Sequence, residues 1–437
     1  MKFDEAFEFG VSTISYQIEG SPESKTIWDD FCAWDNATAD NKDAKVTCDH
    51  YHHVDEDIRL LTELGIDSYH FSISWSRIFP KRGKYNEEGM VWYKDLCIKL
   101  TEAGIKPVIT LFHWDLPEWC QELGGFSSRA VLEHFLQYCH KCFENLYEYA
   151  ERFITIASPA NFTLLGHLFG SHAPGVKNAN TALEVMHHLL LSHGAAVKLY
   201  KKLGKTKPIG INLGIVPAYA ASESYRDNLA AEFYDGFVNR LFLEPLFNGQ
   251  YPNDILSMMS LVSSTDFSFI EPNDMNMIYN SCDFVELSYD KRCKIKYNTE
   301  HPLRFHKILS KEDKSITKWS TDLEGLVDAI EILRDYTTLP LYVSVTSRNK
   351  VKTPTQNGIK DGKRADYITS LLDCISSIYK EQKIQGLSYR SFLDCFEWEL
   401  GYTSQSGLVQ VDFDTQERIP KESYYAYQKF LKTKETK

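Results

Sequence analysis

The sequence of 437 residues contains no uninterrupted apolar stretch of about eighteen residues, the length that a membrane-spanning helix needs. Positive charge is also scarce, because 48 Lys and Arg are outnumbered by 60 Asp and Glu and the net charge is −12. Nucleic-acid-binding proteins concentrate Lys and Arg on one face. We therefore expect neither a membrane nor a nucleic acid as a partner.

The amino terminus lacks the charged and apolar segments that a secretory signal requires. The ten cysteines are scattered along the chain, so we expect reduced thiols and a cytoplasmic location. The cluster Asp49, His50, His52 and His53 contains metal-ligand residue types, but its spacing does not give an i, i+4 helical pair with an obvious third ligand. We expect no metal and no cofactor.

The composition, with 43% apolar and 25% charged residues, is typical of a globular protein that buries a sizeable core. Eight β-rich runs alternate with amphipathic helical segments, a pattern that predicts a parallel sheet wrapped by helices. The predicted strands are Phe9–Tyr16, Ser68–Trp75, Lys106–His113, Arg152–Ala157, Pro208–Val216, Asp283–Tyr289, Leu339–Val345 and Gly386–Phe392. We predict an α/β fold, a (β/α)₈ TIM barrel that forms one domain over residues 1–437, with its site where the strands end.

The predicted helices have apolar residues at helical spacing. They are Asp55–Leu64, Met90–Ala103, Ala130–Glu151, Leu183–Lys202, Leu323–Tyr336 and Tyr367–Glu381. A long irregular stretch, roughly Asp290–Trp319, precedes the seventh strand and is rich in Lys, His, Asn and Ser. We predict that this stretch is a loop over the barrel mouth.

Several long motifs follow one another in a fixed order along the chain. They are FGVSTISYQIEG, WDDF, CDHYHHVDEDIRLLTELGIDSYHFSISWSRIFP, PVITLFHWDLP, FGSHAPG, NRLFLEPLFNGQYP and SFLDCFEWELGYTSQSGLVQVDFDTQERIPKESYYAY. With these motifs the sequence resembles family 1 glycoside hydrolases, the β-glucosidase family, over essentially its whole length. The resemblance implies the barrel fold and retaining hydrolysis of β-glycosides, which needs two carboxyl groups about 5–5.5 Å apart.

Both catalytic carboxylates of the family are replaced in this sequence. Ser158 stands where the resemblance places the acid/base Glu of a Thr-x-Asn-Glu-Pro motif, and Ala157 replaces the Asn before it. Val345 stands at the nucleophile of the Thr-Glu-Asn-Gly motif. A shifted alignment does not hide the two acids, because residues 152–183 and 339–360 contain no Asp or Glu.

The residues that the resemblance assigns to the sugar site are only partly retained. Positions that bind sugar hydroxyls in the family match Gln17, His113, Glu397 and Trp398, and neighbours of the nucleophile match Arg77 and Tyr289. The rest of the pocket has changed, with Glu286 at a Gly position, Ser288 at an Asn position and Arg390 at the Trp that forms the sugar floor. The sequence therefore predicts one side of a sugar site without its floor.

Because both carboxylates are missing, we expect a non-catalytic protein, a pseudoenzyme that serves as a partner-binding or regulatory scaffold. One alternative is lectin-like sugar binding through the retained residues, and a weaker one is residual β-glucosidase-type hydrolysis. The expected partner is accordingly another protein, or a weakly bound sugar or anion.

Arg77 loses the nucleophile's negative charge that the resemblance would place beside it, and Arg390 adds a second cation where the family has an indole. Arginine stays protonated in proteins, and a buried unpaired charge is costly. We therefore predict that Arg77 or Arg390 lies within hydrogen-bond reach of Glu397 or Glu286, or that a bound anion lies between them.

Overall fold

The computed structural model describes residues 3–20, 24–279, 282–308, 322–347, 349–350 and 359–435. Eight parallel strands close into a barrel in which each strand pairs with the next along the chain and the last pairs with the first. They are β1 (Glu8–Ser12), β2 (Ser68–Ser72), β3 (Lys106–Phe112), β4 (Arg152–Ala157), β5 (Ile209–Gly214), β6 (Phe284–Tyr289), β7 (Leu341–Thr346) and β8 (Ile384–Arg390). The predicted (β/α)₈ barrel is confirmed.

Helices of very different lengths connect the barrel strands. The α-helices of the described residues are Ser15–Ile18, Ile27–Cys32, His50–Leu64, Trp75–Ile78, Glu87–Glu102, Glu118–Glu122, Val131–Leu146, Pro159–Thr163, Ala179–Lys202, Tyr225–Asp235, Leu241–Phe247, Asn253–Val262, Asp274–Ile278, Leu323–Arg334, Gly362–Ile378 and Glu422–Glu435. The helix at Val131–Leu146 shows why they pack on the barrel, because its buried side chains, among them Phe135, Tyr138 and Cys142, recur at helical spacing on one face. Within the described part of the chain, no helix is both long and apolar enough to cross a membrane.

Two of the predicted strands extend too far toward their carboxyl ends. The first ends at Ser12 and the second at Ser72, and a short helix follows each of them. The second of these helices begins after Ser74, whose hydroxyl accepts a hydrogen bond from the backbone N–H of Arg77 at 3.4 Å. A serine in this position satisfies an N–H group that a helix start leaves unpaired, so it ends the strand and begins the helix.

The stretch predicted to be a loop at residues 290–319 contains regular structure. Strands Cys293–Tyr297 and Phe305–Ile308 pair antiparallel, and the first also pairs with Ala218–Ala220 to give a three-stranded sheet. The buried side chains of Ile295 and Phe305 explain why this segment folds rather than remaining irregular. The loop prediction is therefore wrong for residues 290–308, and residues 309–319 lie outside the described residues.

Apolar side chains fill part of the barrel interior near the amino ends of the strands. Val108, Ile154 and Phe284, from β3, β4 and β6, form a buried cluster against which Tyr342 of β7 packs. Inward-facing side chains of this kind make the centre of a TIM barrel a packed core rather than a channel. The space for a ligand therefore lies toward the carboxyl ends of the strands.

Candidate functional site

A cavity of about 240 Å³ lies inside the barrel toward the carboxyl ends of the strands. All eight barrel strands contribute to its wall, through Ser12, His70, Thr110, Ala157, Asn212, Glu286, Ser344 and Arg390. Two lysines of the segment after β6, Lys291 and Lys307, also line it. This is the face on which TIM-barrel enzymes hold their active sites.

The position of the acid/base group carries a hydroxyl rather than a carboxyl. Ser158 follows β4 with a backbone φ of 43° and lines the cavity. Its Oγ donates to the side-chain Oδ1 of Asn212 at 2.9 Å. The neighbouring Ala157 also lines the cavity, and its carbonyl accepts a hydrogen bond from the indole Nε1 of Trp114 at 2.9 Å.

The predicted nucleophile position does not lie on the cavity wall. Val345 is 1% exposed and packs within the apolar core, whereas Ser344 lines the cavity. Successive side chains of a strand point to opposite faces, so only one of these two neighbours can face the barrel interior. The placement of Val345 in the site is therefore corrected, and Ser344 is the wall residue of β7.

One carboxylate, Glu286, does face the cavity, and it is embedded in a polar network. Its Oε1 accepts from Nδ2 of Asn212 at 2.7 Å, and its Oε2 lies 2.9 Å from Nδ1 of His70. Burial alone would raise the pKa of Glu286, but the charge and hydrogen bond of His70, the Asn212 amide and the charge of Arg152 bring this pKa below its usual value. Glu286 is thus an ionised carboxylate, only 5% exposed, on the wall of the cavity.

The buried ion pair of Arg152 and Glu8 contacts this network through His70. The Arg152 guanidinium donates to both carboxylate oxygens of Glu8, with Nη1 at 3.0 Å from Oε2, and its Nη2 lies 3.3 Å from Nε2 of His70. Burial alone would lower the pKa of His70, yet Glu286 and Glu8 raise it above its usual value. Glu8, Arg152, His70 and Glu286 thus form one continuous polar network through the barrel.

Four members of this network, namely Glu8, His70, Arg152 and Asn212, were not predicted from the sequence. For the last three the available signal was position, because each is a polar residue inside a predicted barrel strand. Polar side chains at such positions must be paired or solvated. Glu286 was noted as a replacement for glycine and as a predicted partner of Arg77 or Arg390, but its observed partners His70 and Asn212 were not predicted.

The four predicted sugar-binding residues divide into two pairs. His113 and Trp398 line the cavity, and their rings lie 6.4 Å apart between centroids. Gln17 and Glu397 are absent from the wall, because the Gln17 amide donates to the Phe396 carbonyl at 2.6 Å and the Glu397 carboxylate accepts from the Ser406 hydroxyl. Burial and the charge of Arg390 hold the pKa of His113 well below its usual value, so this imidazole is neutral.

The two predicted neighbours of the nucleophile lie away from the cavity. Nε of Arg77 donates to Oε2 of Glu19 at 3.2 Å, and its guanidinium lies 4.1 Å from the centroid of the Tyr51 ring. Tyr289 is 4% exposed, does not line the cavity, and its hydroxyl has no hydrogen-bond partner among the described residues. The prediction that Arg77 pairs with Glu397 or Glu286 is wrong because Glu19 supplies the counter-charge.

The remaining altered residues, Ser288 and Arg390, both line the cavity. Arg390 is half-buried at the end of β8. Within the described ranges it forms no ion pair, so the predicted contact of Arg390 with Glu397 or Glu286 is also wrong.

Two histidines of the cluster near residue 50 each contact one aspartate. Nδ1 of His50 lies 2.7 Å from Oδ2 of Asp57, and Nδ1 of His52 lies 2.6 Å from Oδ1 of Asp49.

Comparison with known proteins gives one consistent family. The model of glycosyl hydrolase family 1 matches residues 1–436. Among curated relatives, β-glucosidase A of Acetivibrio thermocellus is 38% identical, with 98% of each chain covered, and 1,4-β-D-glucan glucohydrolase of Thermotoga neapolitana is 33% identical, with 99% of this chain and 98% of the relative covered.

Solved structures agree with these sequence relatives. The GH1 β-glucosidase from Exiguobacterium antarcticum B7 superposes with a TM-score of 0.96 at 39% identity, covering 100% of this chain and 99% of that one. The family 1 β-glucosidase from Thermotoga maritima superposes with a TM-score of 0.92 at 32% identity, with 99% of each chain covered.

These relatives contradict the prediction of a non-catalytic scaffold or lectin-like protein. Relatives that are 33–38% identical over nearly the whole chain are named as enzymes that act on glucosides or glucans. The prediction followed from the loss of the two family carboxylates and treated the carboxylate of Glu286 only as a counter-charge. The prediction that the chain is not an enzyme is therefore wrong.

Proposed function

Since this chain belongs to glycosyl hydrolase family 1, we propose that it hydrolyses β-glucosides in the barrel cavity with Glu286 as the group that activates water. The observation that carries the proposal is the ionised, cavity-facing carboxylate of Glu286 in a chain whose relatives are named β-glucosidases. A carboxylate is the group that this chemistry requires, either as a base or as a nucleophile. Its location on β6 replaces the missing acid on β7.

The depth of Glu286 favours a base that acts through water over direct attack on the sugar. In the β6–β7 register Glu286 pairs with Tyr342, whereas Ser288 pairs with Ser344. Glu286 therefore lies two residues, roughly 6.6 Å, below the Ser344 layer along the strand. In the proposed mechanism the sugar lies against His113 and Trp398, and a water molecule lies between its anomeric carbon and Glu286.

The hydrolytic step balances with these groups alone. The water oxygen bonds to the anomeric carbon while the bond from that carbon to the leaving-group oxygen breaks. Glu286 takes the proton from water, and the leaving group departs with the electron pair of the broken bond. The amide of Asn212 fixes the orientation of Glu286, and Nδ1 of His70, 2.9 Å from Oε2, stabilises its ionised form before the reaction.

Direct attack by water predicts inversion at the anomeric carbon. We expect proton NMR of the first-formed product from an aryl β-glucoside to show α-glucose before mutarotation. Attack by water needs a carboxylate farther from the reaction centre, with carboxyl groups of inverting enzymes about 6.5–9.5 Å apart. If β-glucose forms first, Glu286 does not act through water in this way.

Because residue 158 is a serine and not a carboxylic acid, we expect the rate of hydrolysis to depend strongly on the leaving group. Ser158 donates to Asn212 and cannot protonate the departing oxygen as a carboxylic acid does. For aryl β-glucosides from dinitrophenyl to unsubstituted phenyl, we expect kcat/KM to fall by about 100-fold or more, because general acid catalysis typically contributes about 10²–10⁴-fold. Steady-state release of the phenol measures kcat/KM for each substrate of the series.

Ser158→Glu is the matched variant for this series, because it restores a carboxyl group and is expected to flatten the dependence. Hydrolysis of every substrate at only the uncatalysed rate would overturn the proposed function. A flat series in the unchanged protein would instead show that another group protonates the leaving oxygen.

Sugar recognition and location also remain proposals. We propose that His113 and Trp398 contact the sugar directly, while Gln17 and Glu397 support the wall from behind. The indole Nε1 of Trp398 is buried without a hydrogen-bond partner among the described residues, which suits it to donate to a ligand oxygen. A cytoplasmic location is supported by the ten cysteines, none of which forms a disulfide among the described residues.

A further inference from the structure

Charged and polar side chains cross the barrel interior and join strands that are not neighbours. His70 on β2 reaches β6, the strand on the opposite side of the barrel, where its Nδ1 lies 2.9 Å from Oε2 of Glu286. Arg152 on β4 reaches Glu8 on β1, with its Nη1 at 3.0 Å from Oε2. Bulky apolar side chains usually dominate the interior of a TIM barrel. Here the polar side chains hold one another in position across it.

The surroundings of the His70 ring direct a proton toward Glu286. On the other side of the ring, Nε2 lies 3.3 Å from Nη2 of Arg152 and 3.3 Å from Oγ of Ser68. A guanidinium group can only donate, so in a neutral ring Nε2 accepts from Arg152 and the proton is on Nδ1. In a protonated ring Nδ1 carries a proton as well. In both states the N–H group of Nδ1 faces the carboxylate.

Glu286 is contacted at both of its carboxylate oxygens. Oε1 accepts from Nδ2 of Asn212 at 2.7 Å, and Oε2 faces His70. These contacts orient the carboxylate, and its remaining lone pairs can still accept a proton from water. The two partners differ, because an amide carries no charge whereas an imidazole can carry one. Of the two, only His70 can both orient the carboxylate and favour its ionised form by charge.

We propose that His70 is a positioning residue for the base: it holds the carboxylate of Glu286 in place and in its ionised form, and the Glu8–Arg152 pair holds His70. The proposal rests on the proposed function, because Glu286 is the base of that reaction. His70 forms no bond to the sugar and acts only through Glu286. The rate in acid then depends on His70, because a protonated Glu286 cannot take a proton from water.

Other titratable and charged groups surround this pair. Glu8, Arg152 and Tyr342 interact with it inside the barrel. The cavity wall also carries His113, His172, Tyr234, Asp290, Lys291, Lys307, Arg390 and Glu399. All of these groups are retained when only His70 is replaced. The difference between two pH profiles therefore reports the contribution of His70.

The first test is the pH profile of kcat/KM for dinitrophenyl β-D-glucoside in the unchanged protein and in His70→Gln. Glutamine keeps an N–H donor but carries no charge. The pKa of Glu286 should rise, and the acid limb should move up by about one pH unit, because an opposite charge nearby lowers a carboxyl pKa by about 1–3 units. Well below both limbs His70→Gln should be about 10-fold slower, and at the plateau the rates should agree within about 3-fold.

Two further variants separate positioning from packing. His70→Leu loses both the donor and the charge, so it should also be slower at the plateau. His188→Gln replaces another buried histidine, whose Nδ1 lies 2.9 Å from the carbonyl oxygen of Phe126, and should leave the acid limb unmoved. A His70→Gln profile that is lowered equally at every pH, with its acid limb unmoved, overturns the proposal and leaves the proposed function intact.

The second test needs no turnover and no variant of His70. It follows the His70 ring by ¹⁵N NMR across the pH range in the unchanged protein and in Glu286→Gln. A His70 pKa that is lower in Glu286→Gln supports the contact even if no glycoside is hydrolysed, in which case only the proposed function fails. The same His70 pKa in both proteins overturns the proposal whether or not the protein is active.

Discussion

Arg152→Met is expected to lower the free energy of unfolding by about 3–5 kcal/mol, the usual cost of removing one partner from a buried ion pair. Arg152 is 1% exposed, donates to both oxygens of Glu8, and lies with its guanidinium carbon 3.7 Å from the centroid of the Tyr342 ring. Methionine fills much of the same space but leaves Glu8, itself 7% exposed, without its counter-charge. Urea unfolding of both proteins measures the difference.

The double variant Arg152→Met with Glu8→Gln separates charge from packing. It should recover a large part of the lost stability, because it removes the uncompensated carboxylate as well. Arg59→Met is the surface control, since Arg59 and Glu63 form an exposed pair and such pairs typically contribute about 0–1 kcal/mol. If Arg152→Met costs no more than Arg59→Met, the buried pair does not stabilise the barrel.

The contribution of the Glu8–Arg152 pair to the free energy of unfolding should change with pH in a known direction. The charges of Arg152 and His70 hold the pKa of Glu8 well below its usual value despite burial, which alone would raise it. A carboxyl group with a lowered folded-state pKa stabilises the fold above its unfolded pKa, and this contribution is lost as the pH falls toward the folded value. The stability difference between the unchanged protein and Glu8→Gln should therefore shrink in acid.

The barrel was predictable because its strands are short, apolar and separated by amphipathic helices, and all eight appear within two residues of their predicted starts. Their ends were less predictable, because a capping serine such as Ser74 ends a strand without changing its apolar pattern. The sheet of Cys293–Tyr297 and Phe305–Ile308 was missed for a different reason. Its alternating pattern lies among many polar residues and resembles a loop in composition.

The site was harder to predict than the fold, because a motif gives the order of residues but not the direction of each side chain. Matching by motif placed Arg77 and Val345 in the pocket, whereas His70 of β2 and Ser344 of β7 lie on its wall. A shift of one residue moves a strand side chain to the opposite face of the sheet. Partners such as Glu19 for Arg77 lie far apart in sequence and are visible only in the folded chain.

Replacing Glu286 by Gln is expected to lower kcat/KM for an activated aryl β-glucoside by about 10²–10⁴-fold, the usual contribution of a general base. Glutamine has nearly the same shape and can keep the contact with Asn212, but it cannot take a proton from water. Since no charge is left to pair with His70, the pKa of His70 should also fall in this variant. The loss should appear in kcat more than in KM, because Glu286 acts on the water and not on the sugar.

Two controls make this result specific. Glu63→Gln, on an exposed helix, removes a carboxylate of the same type far from the cavity and should leave the rate unchanged. Circular dichroism and urea unfolding should show that Glu286→Gln is folded before its rate is compared.

The most direct test of the account is therefore the release of dinitrophenol from dinitrophenyl β-D-glucoside by the unchanged protein and by Glu286→Gln at the same concentration. We expect turnover above the uncatalysed rate in the unchanged protein and a loss of about 100-fold or more in the variant. Equal rates for the two proteins, or no turnover by the unchanged protein, would contradict the claim that Glu286 makes this barrel a glycoside hydrolase.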